Sequence, residues 1–300
     1  MSRGAARLGV AAILATLLAA CSLVGIAYNS ADRWLLYQAD VFLDLRDAQR
    51  ESLRAALRER LADHRARELA DYVEFLDHVH RAADDGLDVA EVDAFVAWAE
   101  TLVRTTVAGT LPAIAAVLST LQPAQIEHLK AALEDGDRQY RKTSVQPSAE
   151  RRVARRTKSA VRILEHWTGD LAAAQRERVA GLVRAWPDVA AEWGAYRTAR
   201  TAGLIALLRS QPDAAAIQRF LASRWLGHEG RSASLEADAT ALRRGIVDLV
   251  VAVDASLSAE QRAAFLKRVR AYRDELAALL PARSPAVAGA RAAEAVGATP

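Results

Sequence analysis

The amino-acid sequence predicts an all-α protein, and three observations carry that prediction. Glycine and proline are scarce, with 15 and 8 in 300 residues, while alanine, leucine and arginine, all strong helix formers, fill nearly every segment. Apolar residues recur at three- and four-residue steps, the period of one helix face. Alternating runs of β-branched and aromatic residues, which mark strands, do not occur.

The first twenty residues are of a different kind. Arg3 and Arg7 precede an uncharged stretch, LGVAAILATLLAA at 8–20, that runs directly into Cys21, the single cysteine of the chain. A basic start, a short apolar run and a small-residue end form the layout of a secretory signal peptide. The run is shorter than the roughly 20 residues a helix needs to span a hydrocarbon core. Residues 1–20 are therefore expected to be cleaved rather than kept as a transmembrane anchor. A lone cysteine excludes an internal disulfide, so an exported chain must be held together by its core.

Leu18, Ala19, Ala20 and Cys21 resemble the lipobox of bacterial lipoproteins. The resemblance implies cleavage before Cys21 and acylation there, which would tie the body to a membrane through acyl chains. Several chains hold far more firmly than one. The next residue is Ser22, not the aspartate associated in such lipoproteins with retention in the inner membrane. The resemblance thus points to the outer membrane of a Gram-negative cell, with the body facing the periplasm.

Removing residues 1–20 takes away Arg3 and Arg7 and lowers the formal charge from +3 to about +1. No strong basic field remains for nucleic acid. The remaining chain is long enough for one large or two smaller cores.

Helices are expected over roughly 30–43 and 149–167, each followed by the same element: leucine, three residues, glutamine, three residues, an apolar position. Four copies occur, at Leu45/Gln49/Leu53, Leu121/Gln125/Leu129, Leu171/Gln175/Val179 and Leu257/Gln261/Phe265. The breaker Asp84, Asp85, Gly86 begins 35 residues after Gln49, and the breaker Ser210, Gln211, Pro212, Asp213 begins 35 after Gln175. Beyond the breakers, Val92, Phe95 and Ala97 match Ile217, Phe220 and Ala222. The glutamines of a pair lie 76 and 86 residues apart, and the insert GHEGRSAS at 227–234 accounts for most of the difference. This pattern predicts an internal duplication: a lipidated N-terminus and first helical unit at 21–146, a second unit at 147–280, about four helices each, and a disordered tail at 281–300.

Within the first unit, Leu53, Leu57, Leu61, Leu69, Tyr72, Leu76 and Val79 form one apolar stripe. Val92, Val96, Ala99, Val103, Val107, Leu111 and Ile114 form another. A short turn between them implies an antiparallel pair. Pro112 and Pro187 fall inside helical runs, where kinks are expected.

The four copies resemble the LTxxQ motif of the Spy and CpxP family of periplasmic stress proteins, which are all-helical chaperones and sensors. LSAEQ at 257–261 is nearest, with Ser258 able to cap a helix and Gln261 to complete a capping box. The other threonine positions hold Arg46, Gln122 and Ala172, so the motif reads first as a helix start. The stretch Tyr28 to Tyr72 is similar to a family of proteobacterial lipoproteins of unknown function, which implies location and architecture but no mechanism.

No P-loop, GxSxG, GxGxxG or paired-cysteine motif is present, and the six histidines form no HExxH. His78 and His80 point about 200° apart on a helix, which disfavours a shared metal ion with Asp77, Asp84 and Asp85. His64 lies near the apolar stripe and is expected to be half-buried and hydrogen-bonded. A non-enzymatic protein without cofactor or metal is expected.

Two features could recognise partners. Arg151, Arg152, Arg155, Arg156 and Lys158 gather positive charge on one side of a helix, a solvated face or a patch for lipid headgroups or an acidic protein. Trp34, Tyr37, Trp98, Trp186, Trp193, Tyr196 and Trp225 either fill cores or line an apolar groove. The expected role is binding of an unfolded client or another envelope protein. Docking to one fixed envelope partner is the alternative, and an envelope hydrolase comes third.

Overall fold

The computed structural model describes residues 23–281. The expected signal peptide, Cys21 and the tail from 282 onward lie outside the described residues. Within them the chain is all-α, with twelve helices, two π-helical turns and no strand. The helices are α1 (Leu23–Asn29), α2 (Ala31–Leu43), α3 (Asp47–Arg67), α4 (Leu69–Ala82), α5 (Val89–Leu118), α6 (Pro123–Tyr140), α7 (Ala149–Thr168), α8 (Ala173–Arg184), α9 (Ala190–Arg209), α10 (Ala214–Leu221), α11 (Ala233–Asp254) and α12 (Ala259–Ala277).

The expected turns are present. After α4, Gly86 takes φ +108°, and Asp88 caps α5 by accepting from the Glu91 amide at 2.8 Å. After α9, Gln211 takes φ 55° and Asp213 caps α10 in the same way through the Ala216 amide. Val92 and Ile217, each four residues beyond its capping aspartate, are both buried.

The two long first helices differ from expectation. Each is interrupted, at Glu68 between α3 and α4 and at 185–189 between α8 and α9. Pro187 separates two helices instead of kinking one, because its ring removes an amide donor and steers the preceding residue away from helical backbone. Pro112, by contrast, lies within an uninterrupted α5.

Helices from both stretches of the chain meet in one core, and a second core is built within the later stretch alone. One core joins Leu36, Leu53, Leu57, Leu111, Ala115, Leu118, Ile126 and Leu129 with Leu204, Ile205, Leu208, Ile217 and Leu221. The first eight come from α2, α3, α5 and α6, the last five from α9 and α10. The other core contains Leu171, Val179, Val183, Leu249 and Val253, and α12 lies along α4. The exchange is reciprocal: α4 packs on α12, and α9 packs on α6. By length and composition α5 could cross a membrane. Here it packs on α3, α4, α10 and α11 and connects the two cores.

Candidate functional site

The four LxxxQ elements all start helices, and their glutamines meet in pairs. In each copy the side-chain Oε1 accepts from the backbone amide three residues earlier, at Arg46, Gln122, Ala172 and Ser258, over 2.8 to 3.0 Å. Only at Ser258 is a bond returned, with its hydroxyl oxygen accepting from the Gln261 backbone amide, which completes a capping box. Leu45, Leu121 and Leu171, just before the caps, are buried.

Across each pair the amides bond reciprocally. Gln49 Nε2 donates to Gln125 Oε1 at 3.2 Å and Gln125 Nε2 returns the bond at 2.8 Å. Gln175 and Gln261 do the same at 2.9 and 3.0 Å. Each Nε2 also reaches the carbonyl two residues before its partner's cap: Thr120, Asp44, Ser256 and Asp170. Both donors and the acceptor oxygen of every glutamine are thereby used. These residues are internal fasteners and offer nothing to a ligand.

An apolar cleft lies instead between α7 and α11. Two adjoining hollows, about 490 and 300 Å³, share Ile163, Leu164 and Val250 and form one cleft. Ile246 and Leu249 line the α11 wall, and Phe75, Val79, Phe265 and Val269 close one end. Ile163 on α7 is 57% exposed and Ile246 on α11 is 38% exposed. Arg155, Arg156 and Trp186 form the opposite, basic end. A second apolar groove of about 610 Å³ runs along Val96, Ala99, Val103 and Val107 of α5 to Trp225 and Leu226, with Glu100, Arg104 and His228 on its rim.

The predicted basic cluster is divided by its contacts. Arg152 pairs with Asp188 and donates to the Val145 and Pro147 carbonyls. Arg156 donates to the Pro187 carbonyl at 2.7 Å, and Arg155 donates to the Thr143 carbonyl. These bonds tie α7 to the turns before it and before α9. Arg151 and Lys158 stay exposed, and Arg151 lines a polar hollow with Lys142, Gln146, Pro147 and Arg155. The only part of the cluster facing apolar surface is the Arg155 and Arg156 end of the cleft.

The histidines are structural in their contacts. His64 Nδ1 meets the Tyr28 hydroxyl at 2.8 Å, and its Nε2 lies 3.8 Å from Glu68. Burial lowers the His64 pKa, with Glu68 opposing and Arg60 adding to the shift. Burial also pushes the Glu68 carboxyl up, but hydrogen bonds and charge from Arg60, with Thr106, outweigh it and hold the pKa below the usual value. Tyr72 closes the network on Thr106 at 2.7 Å. His78 packs on Trp98, and His80 Nε2 accepts from the Arg270 guanidinium. Among the described residues, no group of three histidine, cysteine or acidic side chains is placed to hold a metal ion.

The aromatic residues serve different purposes. Trp98 meets Phe75 and His78 edge-on. Trp193, Tyr196 and Trp225 surround the Arg200 guanidinium, which lies 4.0 Å from the Trp225 ring centre. Trp186 lines the cleft, whereas Trp34 and Tyr37 are exposed. Sequence reasoning missed Ile163 and α1 altogether. Neither carries a motif, and an exposed isoleucine is visible only once the wall around it is built.

No curated protein and no solved structure matches the chain. A family model described as a family of unknown function, DUF6279, matches residues 41–225, a stretch that holds Gln49, Gln125, Gln175 and the α7 wall of the cleft. The chain, matched over more than half its length, belongs to the DUF6279 family.

Proposed function

We propose that this chain is a non-enzymatic envelope lipoprotein, anchored by acyl chains on Cys21 in the outer membrane, that binds apolar segments of other proteins in the cleft between α7 and α11. The observation that carries the reading is the exposed Ile163 at the centre of a continuous apolar cleft with arginines at one end. Exposed apolar surface of this kind costs solubility and marks sites of association. The two arginines suit a segment that carries a carboxylate beside its apolar residues. A chaperone-like role for clients in the periplasm fits this chemistry, as does the partial LTxxQ likeness. The duplication of the helical unit is part of the same reading, supported by the equivalent bonding of the two glutamine pairs.

The test is suppression of aggregation of a chemically denatured client by the processed full-length protein. Ile163→Asp should abolish suppression without loss of stability, since the side chain is exposed. Equal suppression by the variant would sink the cleft as the site. The basic end of the cleft favours a second reading, a scaffold docking to one fixed envelope partner. Crosslinking from intact membranes separates the two, because a single dominant product supports the scaffold and many products support the chaperone.

A further inference from the structure

The start of the fold leaves apolar surface uncovered. Helix α2 is apolar on two opposite faces. Leu36 and Leu43 point into the first core, while Trp34, Tyr37 and Val41 are exposed at 59%, 66% and 48%. At about 3.6 residues per turn these three fall within roughly 60° of one another, as one outward stripe about 10 Å long. An apolar helix face is normally covered by a packing partner. Among the described residues, five of the ten exposed large apolar side chains, Ile26, Trp34, Tyr37, Val41 and Phe42, lie in this short stretch.

We infer that the outward stripe of α2 is seated in the headgroup region of a lipid bilayer. Three observations identify the occupant. Cys21 stands two residues before α1, and two residues span at most about 7 Å, so an acylated Cys21 keeps α1 and α2 at the surface of the membrane. Tryptophan and tyrosine are the side chains that favour the bilayer interface, where a ring can be half apolar and half hydrated. Arg33, exposed next to Trp34 on the edge of the stripe, suits anionic headgroups. The inference rests on the acylation of Cys21 for its first observation and goes beyond it. A chain held only by acyl groups could tumble on its tether, whereas one seated through α2 holds a defined side to the periplasm.

The test uses processed full-length protein purified from membranes and reconstituted in phosphatidylethanolamine and phosphatidylglycerol vesicles containing brominated phospholipid. The emission lost on Trp34→Phe isolates the Trp34 signal. That signal should be strongly quenched by the brominated lipid and protected from aqueous iodide, and Tyr37→Ser with Val41→Ser should reverse both. A Trp34 signal open to iodide and untouched by brominated lipid overturns the inference. So does a stable dimer in detergent that shields Trp34 and dissociates in the Tyr37 and Val41 variant, since a second copy would then be the occupant. The mass of the purified protein reports acylation separately. An acylated mass with unquenched Trp34 ends the seat and spares the anchor, and an unacylated mass with quenched Trp34 does the reverse.

Discussion

Asp254, the last residue of α11, and Arg262, in the first turn of α12, form a two-pronged ion pair with both nitrogen to oxygen distances at 3.0 Å. The pair holds a turn from the other stretch of the chain. Asp254 Oδ2 accepts from the Leu87 amide at 2.8 Å, and Arg262 donates to the Ala83 carbonyl. One carboxylate therefore joins the end of α11, the start of α12 and the turn between α4 and α5.

Removing that carboxylate leaves Arg262 facing low-dielectric surroundings and Leu87 without its acceptor. Asp254 is only 6% exposed, so Asp254→Ala should cost about 3 kcal/mol, in the range for breaking a buried pair. Urea unfolding should show a lower midpoint with an unchanged slope. Asp254→Ala with Arg262→Ala should cost less than the sum of the two single changes.

The glutamine pairs distinguish hydrogen bonding from packing. Gln125→Glu keeps the shape but turns the donor that faces the Leu43 and Asp44 carbonyls into an acceptor. At this buried position the charge-bearing variant should be more destabilising than Gln125→Ala, which itself should cost about 1 to 3 kcal/mol for the orphaned groups. Thermal unfolding of both variants checks the order. A milder loss for glutamate would mean that the pair serves packing alone.

Acid should weaken the protein in two steps. His64 is held neutral by burial, so its folded pKa lies below the ordinary 6.5. The unfolded chain then takes up the proton first, and stability falls as the pH drops through 6.5. Glu68 has a folded pKa below its ordinary 4.5, with Arg60 outweighing burial. Its stabilisation is present above pH 4.5 and is lost as the pH falls through the folded value. His64→Gln should flatten the first step, measured by urea midpoints across pH, and leave the slope from His228, whose pKa burial also lowers.

Gly245 is the position where a good helix former should do harm. A methyl group there would lie 2.6 Å from the Trp186 ring, and a rigid indole cannot fold aside. Helix propensity alone favours alanine by about 1 kcal/mol. The clash should override it, with Gly245→Ala destabilising by about 1 to 3 kcal/mol as overpacking does. Gly136→Ala, with nothing within 4 Å, should stabilise instead, and calorimetry of the two variants gives opposite shifts.

Much of the fold is legible locally. The capping aspartates, the breakers at Gly86 and Pro212, and the starts at Leu45, Leu121, Leu171 and Leu257 all act within a few residues of themselves. Pro187 shows the limit of that reading. Nothing in its neighbours distinguishes a kink from a break, because the choice depends on whether packing supports the helix beyond it. At Glu68 a break occurs with neither proline nor glycine, where the carboxylate turns toward Arg60, eight residues away, and Thr106 on α5.

The candidate site was legible only in fragments. Trp186, Arg155 and Arg156 were recognised as residues able to meet a partner, but the cleft also needs Ile163, Ile246 and Val250, which look like ordinary core positions. The glutamines stood out by repetition, yet their mutual bonding closes loops of 76 and 86 residues.

The sequence by itself determined the all-α class, the positions of most helix starts and stops, and the presence of apolar stripes, because helices form through contacts three and four residues apart. Only the tertiary structure decided which stripes meet. Packing α4 on α12 and α9 on α6, and leaving Ile163 and the outer face of α2 uncovered, depends on how all the helices fill volume together. Apolar burial rewards area and carries no address, so partners of similar period are told apart only by shape and by polar fasteners such as Gln49 with Gln125 and Asp254 with Arg262.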